Sequence, residues 1–264
     1  MKLENKVAVI TGSGRGIGRA IALAFAREGA RLVLMARTAS QLEEVSREIK
    51  AMNGEVLAVA GDLANKSDIE NVVARTVSHF GPPDILVNNA GVQARSLTVD
   101  SDDDAWQKVI QINLVGTFLI TKYLLKTMIP RKTGRIINIL SVNAKAGHPF
   151  GSAYAASKHG LLGLTRSLAL EMGFLELPGI TVNAICPGAV RTEMMEGEGG
   201  LLDFVAKARK ISKKEAEQAI AELSVQKRLL EPEEIAGLAV YLASDEAKGV
   251  TGQAMNVCGG QIMY

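Results

Sequence analysis

The chain has 264 residues, 47% hydrophobic and 22% charged, with a net charge of +2 at pH 7. This is enough apolar material for a sizeable core and excludes disorder, while scattered Lys and Arg leave no footprint for nucleic acid. No signal or transit peptide fits the charged N-terminus, and the apolar runs fall short of the about 20 residues that span a bilayer, so a cytoplasmic protein without a membrane role is expected.

Apolar runs rich in β-formers recur at Val7–Ile10, Arg31–Ala36, Val56–Ala60, Ile85–Asn88, Arg135–Leu140, Ile180–Ile185 and Ala254–Val257. They lack alternation, as strands buried on both faces do. Helical patterns separate them. Ile17, Ile21 and Phe25 share one face after the first run, and Leu42, Val45 and Ile49 do so after the second. Thr38 with Gln41, Ser67 with Glu70 and Ser212 with Glu215 are spaced as capping boxes. Strand alternating with helix predicts a single α/β domain, a doubly wound parallel sheet of about seven strands with helices on both faces. Residues 190–228 interrupt the rhythm with Gly197, Gly199, Gly200 and a charged helical stretch from Ser212 to Leu223. They are expected to form a substrate lid. The run Lys207 to Lys214 reads as a solvated helical face. Cys186 and Cys258 lack metal-ligand spacing and read as buried thiols; no metal site is expected.

The first strand ends in Thr11-Gly12-Ser13-Gly14-Arg15-Gly16-Ile17-Gly18, and a helix follows. Glycines allow a tight turn and a close backbone approach to a pyrophosphate, and the helix N-terminus adds free N–H groups. The spacing differs from G-x-G-x-x-G, but its place between strand and helix predicts a dinucleotide site. The acid that would bind a ribose 2′-OH should end the second strand; Ala36 and then Arg37 stand there. With Arg15 in the loop, Arg37 favours a 2′-phosphate, hence NADP(H) over NAD(H).

Tyr154 and Lys158 are four residues apart and share a helix face. An ammonium near a phenol favours phenolate and makes it a workable acid or base near neutral pH. Ser141 follows an apolar strand, at the carboxyl edge where such sheets place ligands, and is suited to hydrogen-bond a substrate oxygen.

These motifs, with Asp62-Leu63, Asn88-Asn89-Ala90-Gly91, Asn113, Tyr154-Ala155-Ala156-Ser157-Lys158 and Pro187-Gly188, occur in an order that resembles the short-chain dehydrogenases/reductases from Leu3 to near the C-terminus. The resemblance implies a Rossmann-type fold and an enzyme that interconverts a ketone and a secondary alcohol by hydride transfer, with a 3-oxoacyl thioester among the substrates. It implies a catalytic set of Asn113, Ser141, Tyr154 and Lys158, with Asn113 holding a water that links Lys158 to solvent. It gives cofactor contacts to Gly12, Ser13, Arg15, Gly16, Ile17, Gly18, Arg37, Asp62, Leu63, Asn89, Gly91, Tyr154, Lys158, Pro187, Gly188, Val190 and Thr192. In this pattern Asp62 reaches the adenine amino group, Lys158 the nicotinamide ribose, and the Pro187–Thr192 segment the carboxamide. Asn88 is expected to steady the sheet. A homotetramer is also implied, and the apolar stretch Met255–Tyr264 suits burial in it. Two other readings stand beside this one: an NAD(H)-dependent secondary-alcohol or sugar dehydrogenase, and a nucleotide-sensing protein without catalysis. Gln93, Arg95, Asn143, His148, Phe150 and Met194 are candidates for the substrate pocket.

Overall fold

The computed structural model describes residues 1–264. Seven strands, β1 (Val7–Thr11), β2 (Arg31–Ala36), β3 (Val56–Ala60), β4 (Ile85–Asn88), β5 (Gly134–Ile139), β6 (Ile180–Pro187) and β7 (Ala254–Val257), make one parallel sheet. Their order is β3-β2-β1-β4-β5-β6-β7. The apolar runs predicted all seven; only the ends of β1, β5 and β6 differ, by one or two residues. The chain winds outward from β1 through β2 to β3, then restarts at β4 on the other side of β1. That reversal opens a crevice at the carboxyl ends of β1 and β4.

The helices are α1 (Gly16–Arg27), α2 (Ala39–Ala51), α3 (Lys66–Phe80), α4 (Asp103–Ile110), α5 (Thr117–Met128), α6 (Ser152–Phe174), α7 (Glu193–Glu196), α8 (Leu201–Arg209), α9 (Lys213–Ala221) and α10 (Pro232–Ala243). Successive residues of a strand face opposite sides. Ala8 and Ile10 of β1 therefore pack on one side with Ile21 and Phe25 of α1, Leu42 of α2 and Ile235 of α10. Val9 packs on the other with Val72 of α3, Ile120 and Leu124 of α5 and Leu168 of α6. Both faces are covered, which is why the central strands are apolar without alternation.

Several local expectations change. Thr38 does precede α2, but its side chain makes no capping bond. The third helix starts at Lys66 after Asn65, which puts Ser67 inside the first turn, with no capping side chain. Ser212 and Glu215 form the expected box. Lys207–Lys214 does not lie on one helix: α8 ends at Arg209, Lys210 is left-handed, and α9 starts at Lys213. The longest helical run, Asp103–Arg131, has 29 residues and is apolar enough by length and composition to cross a membrane. Reading only unbroken apolar stretches missed it, because charges punctuate its ends. Half of its apolar window is buried in the protein, where α5 covers the sheet.

Candidate active site

The loop from Thr11 to Gly18 joins β1 to α1 at the crevice. Gly12 has φ +64° and Gly16 φ +52°, a left-handed backbone that favours glycine. A Cβ on Gly18 would overlap the Gly12 carbonyl oxygen, so the helix can start there only on glycine. No side chain caps α1, and no acid occupies its first turn. Its first N–H groups thus face the crevice without a protein partner, an arrangement that suits a pyrophosphate.

The β4 edge braces this loop. Thr11 Oγ1 accepts from the Asn89 and Ala90 amides at 3.0 and 3.1 Å. The Asn89 side chain donates to the carbonyls of Thr11 and Gly12 at 3.1 and 3.0 Å. The Asn89 amide therefore holds the loop rather than reaching outward. Ser13 is buried beneath the loop and donates to the Met35 carbonyl. Neither Ser13 nor Gly18 lines the crevice, whereas Gly12, Arg15, Gly16 and Ile17 do. The wall continues through Arg37, Asp62, Leu63, Asn89 and Gly91 to Tyr154, Lys158 and Thr192. Asp62 accepts from the Ala64 amide at 2.9 Å through one oxygen.

The two arginines differ. Arg15 is ion-paired with Glu193 of α7, so its charge is already partnered. Arg37 is exposed at the crevice and joins no ion pair. Sequence reading missed Glu193 on the same wall and gave Gln41 only a capping role; Met194, expected at the substrate pocket, lines both this wall and the second cavity. Gln41, spaced as a cap partner for Thr38, stands against Gly14 instead.

Lys158 is buried, and its Nζ donates to the Ile139 carbonyl at 2.8 Å. Burial pulls its pKa down to about 8, against a small opposing effect of Cys186. Nζ lies 5.5 Å from the Tyr154 ring centroid. The Tyr154 phenol moves the other way from expectation. Burial raises its pKa, and hydrogen bonds with Ser141 and Gln93 and the charge of Arg95 only partly oppose this. The expected depression by Lys158 is absent from that balance: with its own pKa lowered to about 8, Lys158 is already neutral in the range where the buried phenol loses its proton.

Asn113 is fully buried in a π-helical turn, Gln111–Gly116, between α4 and α5. Its amide donates to the Val92 carbonyl and to Ser157 Oγ at 3.0 and 3.1 Å, and its oxygen accepts from the Val92 amide at 2.8 Å. The side chain clamps the strand exit after β4 to α6, and its Oδ1 and Lys158 Nζ border the same spot, 3.5 and 3.7 Å from where a Gly91 Cβ would stand. Asn88, as expected, belongs to the sheet: it donates to Asn138 and Thr121 at 2.8 and 2.9 Å, and Asn138 donates to Thr165 of α6 at 2.8 Å. This series of bonds fixes α6, and with it Tyr154 and Lys158, to the strand ends.

A second cavity opens beyond Tyr154. Ser141, Asn143, Pro187, Gly188, Val190 and Thr192 line it, with Gln93, Arg95, His148 and Phe150. Its outer wall is residues 190–228: Met194 and Met195, Leu201, Val205 and Arg209 of α8, and Ile220 of α9. Met195, Leu202, Ile220 and Leu229 pack these short helices together. His159 bonds the Ala155 carbonyl on the exposed side of α6, away from both cavities. Both cysteines are buried free thiols.

The arrangement joins the crevice to a cavity that shares Tyr154 and leads to Ser141. The short chain dehydrogenase family model matches residues 6–199. The chain is 38% identical over 266 residues to a 3-oxoacyl-[acyl-carrier-protein] reductase of Synechocystis sp., covering 99% of each. It is 41% identical to the granaticin polyketide synthase putative ketoacyl reductase 1 of Streptomyces violaceoruber, covering 96% of this chain and 92% of that one. The crystal structure of an actinorhodin polyketide ketoreductase with NADPH superposes with a TM-score of 0.92 at 38% identity, covering 98% of both chains.

Proposed function

The chain belongs to the short-chain dehydrogenase family, an oxidoreductase of the ketone/secondary-alcohol couple, and on that premise we propose that it works with NADP(H) through Tyr154, Ser141 and Lys158. The observation that carries this reading is the meeting of Tyr154 and Ser141 where the second cavity joins the crevice. The crevice fits a dinucleotide: its glycines leave room for a close approach, and the start of α1 offers N–H groups that no side chain takes. Gly12 to Ile17 would hold the pyrophosphate, Asp62 and Leu63 the adenine, and Gly91 and Lys158 the riboses. Thr192, with Pro187, Gly188 and Val190, would hold the nicotinamide. Bound there, the cofactor supplies the hydride.

Ser141 Oγ and Tyr154 Oη both face the substrate oxygen in this scheme. As the new C–H bond forms and the C=O π bond opens, Tyr154 gives its proton to that oxygen and takes one back from solvent. A phenol whose pKa is raised by burial is protonated at neutral pH and so is set up as an acid, which supports carbonyl reduction. Asn113 acts by position: its three bonds set the wall between Val92 and Ser157. We assign the 2′-phosphate to Arg37, since Arg15 is partnered by Glu193. That pairing is also the observation that favours the second reading, an NAD(H)-dependent alcohol dehydrogenase. Residues 190–228 serve as the lid of the substrate cavity. The relatives named as ketoacyl reductases support a 3-oxoacyl-type substrate. Apolar Leu170 and Phe174, exposed on α6, support a homo-oligomer, and a cytoplasmic location completes the reading.

Titration with both nucleotides and turnover of a ketone panel test the scheme. NADPH is expected to bind more tightly than NADH, and Tyr154→Phe to lower kcat by about 10²–10⁴-fold, the usual worth of a general acid. Tighter NADH binding overturns the assignment of Arg37; full activity in Tyr154→Phe overturns the mechanism.

A further inference from the structure

The substrate cavity holds a cation that nothing in the protein neutralises. Arg95 lies on the segment after β4, half-buried, on the wall that also carries Gln93, Ser141 and Tyr154. No carboxylate pairs with it, although eleven ion pairs occupy arginines and lysines elsewhere. No Asp or Glu lines the cavity at all, and Arg209 of α8 adds a second positive charge on the outer wall. The polar contact of the Arg95 guanidinium within the protein is the Met194 carbonyl at 3.5 Å, the outer limit of a hydrogen bond. Its five N–H donors are thus nearly all unspent. A guanidinium withdrawn from water without an anion costs free energy, and burial here already lowers its pKa. Its charge is nevertheless close enough to Tyr154 to pull on the phenol.

We propose that Arg95 is the specificity residue of this enzyme and that the substrate carries its own carboxylate: an oxo acid or hydroxy acid whose acid group sits on the guanidinium while its carbonyl meets Tyr154 and Ser141. A planar five-donor fork matches a carboxylate in two parallel bonds, which a neutral ketone or thioester does not offer. Arg95 and Tyr154 line the same cavity, so one short oxo acid, such as a 2- or 3-oxo acid, can meet both. The acyl end of a 3-oxoacyl compound would therefore enter as the free acid. This inference rests on the assignment of Tyr154 as the acid.

The test uses full-length enzyme with NADPH and a set of 2- and 3-oxo acids, each paired with its methyl ester. At least one acid is expected to exceed its ester in kcat/KM by about 10- to 100-fold, the worth of a charge-assisted pair. In Arg95→Met that ratio should fall to near one, and in Arg95→Lys it should stay well above one. If Arg95 acted only by tuning Tyr154, Arg95→Met would shift the pH profiles of acid and ester alike and leave their ratio unchanged, which overturns the proposal. Esters reduced as well as or better than every acid by the parent enzyme overturn it too, with the reading of Tyr154 intact. No turnover of any member, with no effect of Tyr154→Phe on any substrate, removes both.

Discussion

Lys158 is a buried ammonium placed at a cost to the fold, and the cost has a size. Its ammonium is buried, and its pKa falls from the usual 10.5 to about 8. At 1.36 kcal/mol for each tenfold change in proton affinity, that gap is about 3 kcal/mol. Below pH 8 the group is charged in both the folded and the unfolded chain, and the folded state carries the whole penalty. Between pH 8 and 10.5 the unfolded chain holds a proton that the folded one lacks, so stability rises with pH through this window. Lys158→Met removes the buried charge and recovers about 3 kcal/mol, but it also leaves the Ile139 carbonyl without its 2.8 Å donor, a loss of about 1–1.5 kcal/mol. The variant should therefore be about 2 kcal/mol more stable at pH 7, a Tm higher by about 4–8 °C for a chain of this size, while losing turnover. Denaturant titrations at pH 7 and pH 10 measure both halves of the argument. The advantage should shrink to nothing or reverse at the higher pH. A variant less stable than the parent at pH 7, or an advantage that does not change with pH, would refute the reasoning.

Two further outcomes follow from the phosphate loop. Glu193→Gln frees the Arg15 guanidinium from an exposed ion pair; such pairs are worth at most about 1 kcal/mol, so NADPH affinity should rise about two- to fivefold with NADH affinity little changed, measured by nucleotide fluorescence titration, and equal changes for both nucleotides would show that Arg15 does not meet the 2′-phosphate. Gly18→Ala drives a Cβ into the Gly12 carbonyl oxygen; overpacking of about 1–3 kcal/mol should lower Tm by several degrees and weaken NADPH binding at least about tenfold, and a variant with unchanged Tm and Kd would mean that the helix start tolerates a side chain.

The strands were legible in the sequence because each buries both faces, and an uninterrupted apolar run is the direct mark of that state. The order of motifs also placed the crevice, since β1, β4, β5 and β6 deliver them to one edge. Caps were less legible. Thr38 and Ser67 have the right residue types at the right spacing, yet neither side chain is used, whereas Ser212 forms both bonds of its box. Spacing establishes only that the bond is possible; whether it forms depends on what else the first turn meets. Gln41 illustrates this, since the phosphate loop takes the place beside it.

What lay beyond the sequence is almost wholly long-range. Glu193 is far from Arg15 along the chain, and nothing local to the loop announces the pair. Asn113 reads as a polar residue in an apolar helix, but its partners, Val92 and Ser157, come from two other segments. The same holds for the Tyr154 phenol. Spacing of i and i+4 correctly puts Tyr154 and Lys158 side by side, and chemistry then suggests that the ammonium lowers the phenol. It does not follow, because burial acts on both groups: Lys158, its pKa lowered to about 8, is neutral before the phenol titrates. The groups that do pull Tyr154 down are Ser141 after β5 and Gln93 and Arg95 after β4. The acidity of Tyr154 is therefore set by burial and by two segments distant in sequence, both of which also line the second cavity. A substitution at Gln93 or Arg95 that retunes substrate choice will accordingly move the pH dependence of the proton transfer as well, so selectivity and pH profile cannot be adjusted independently in this site.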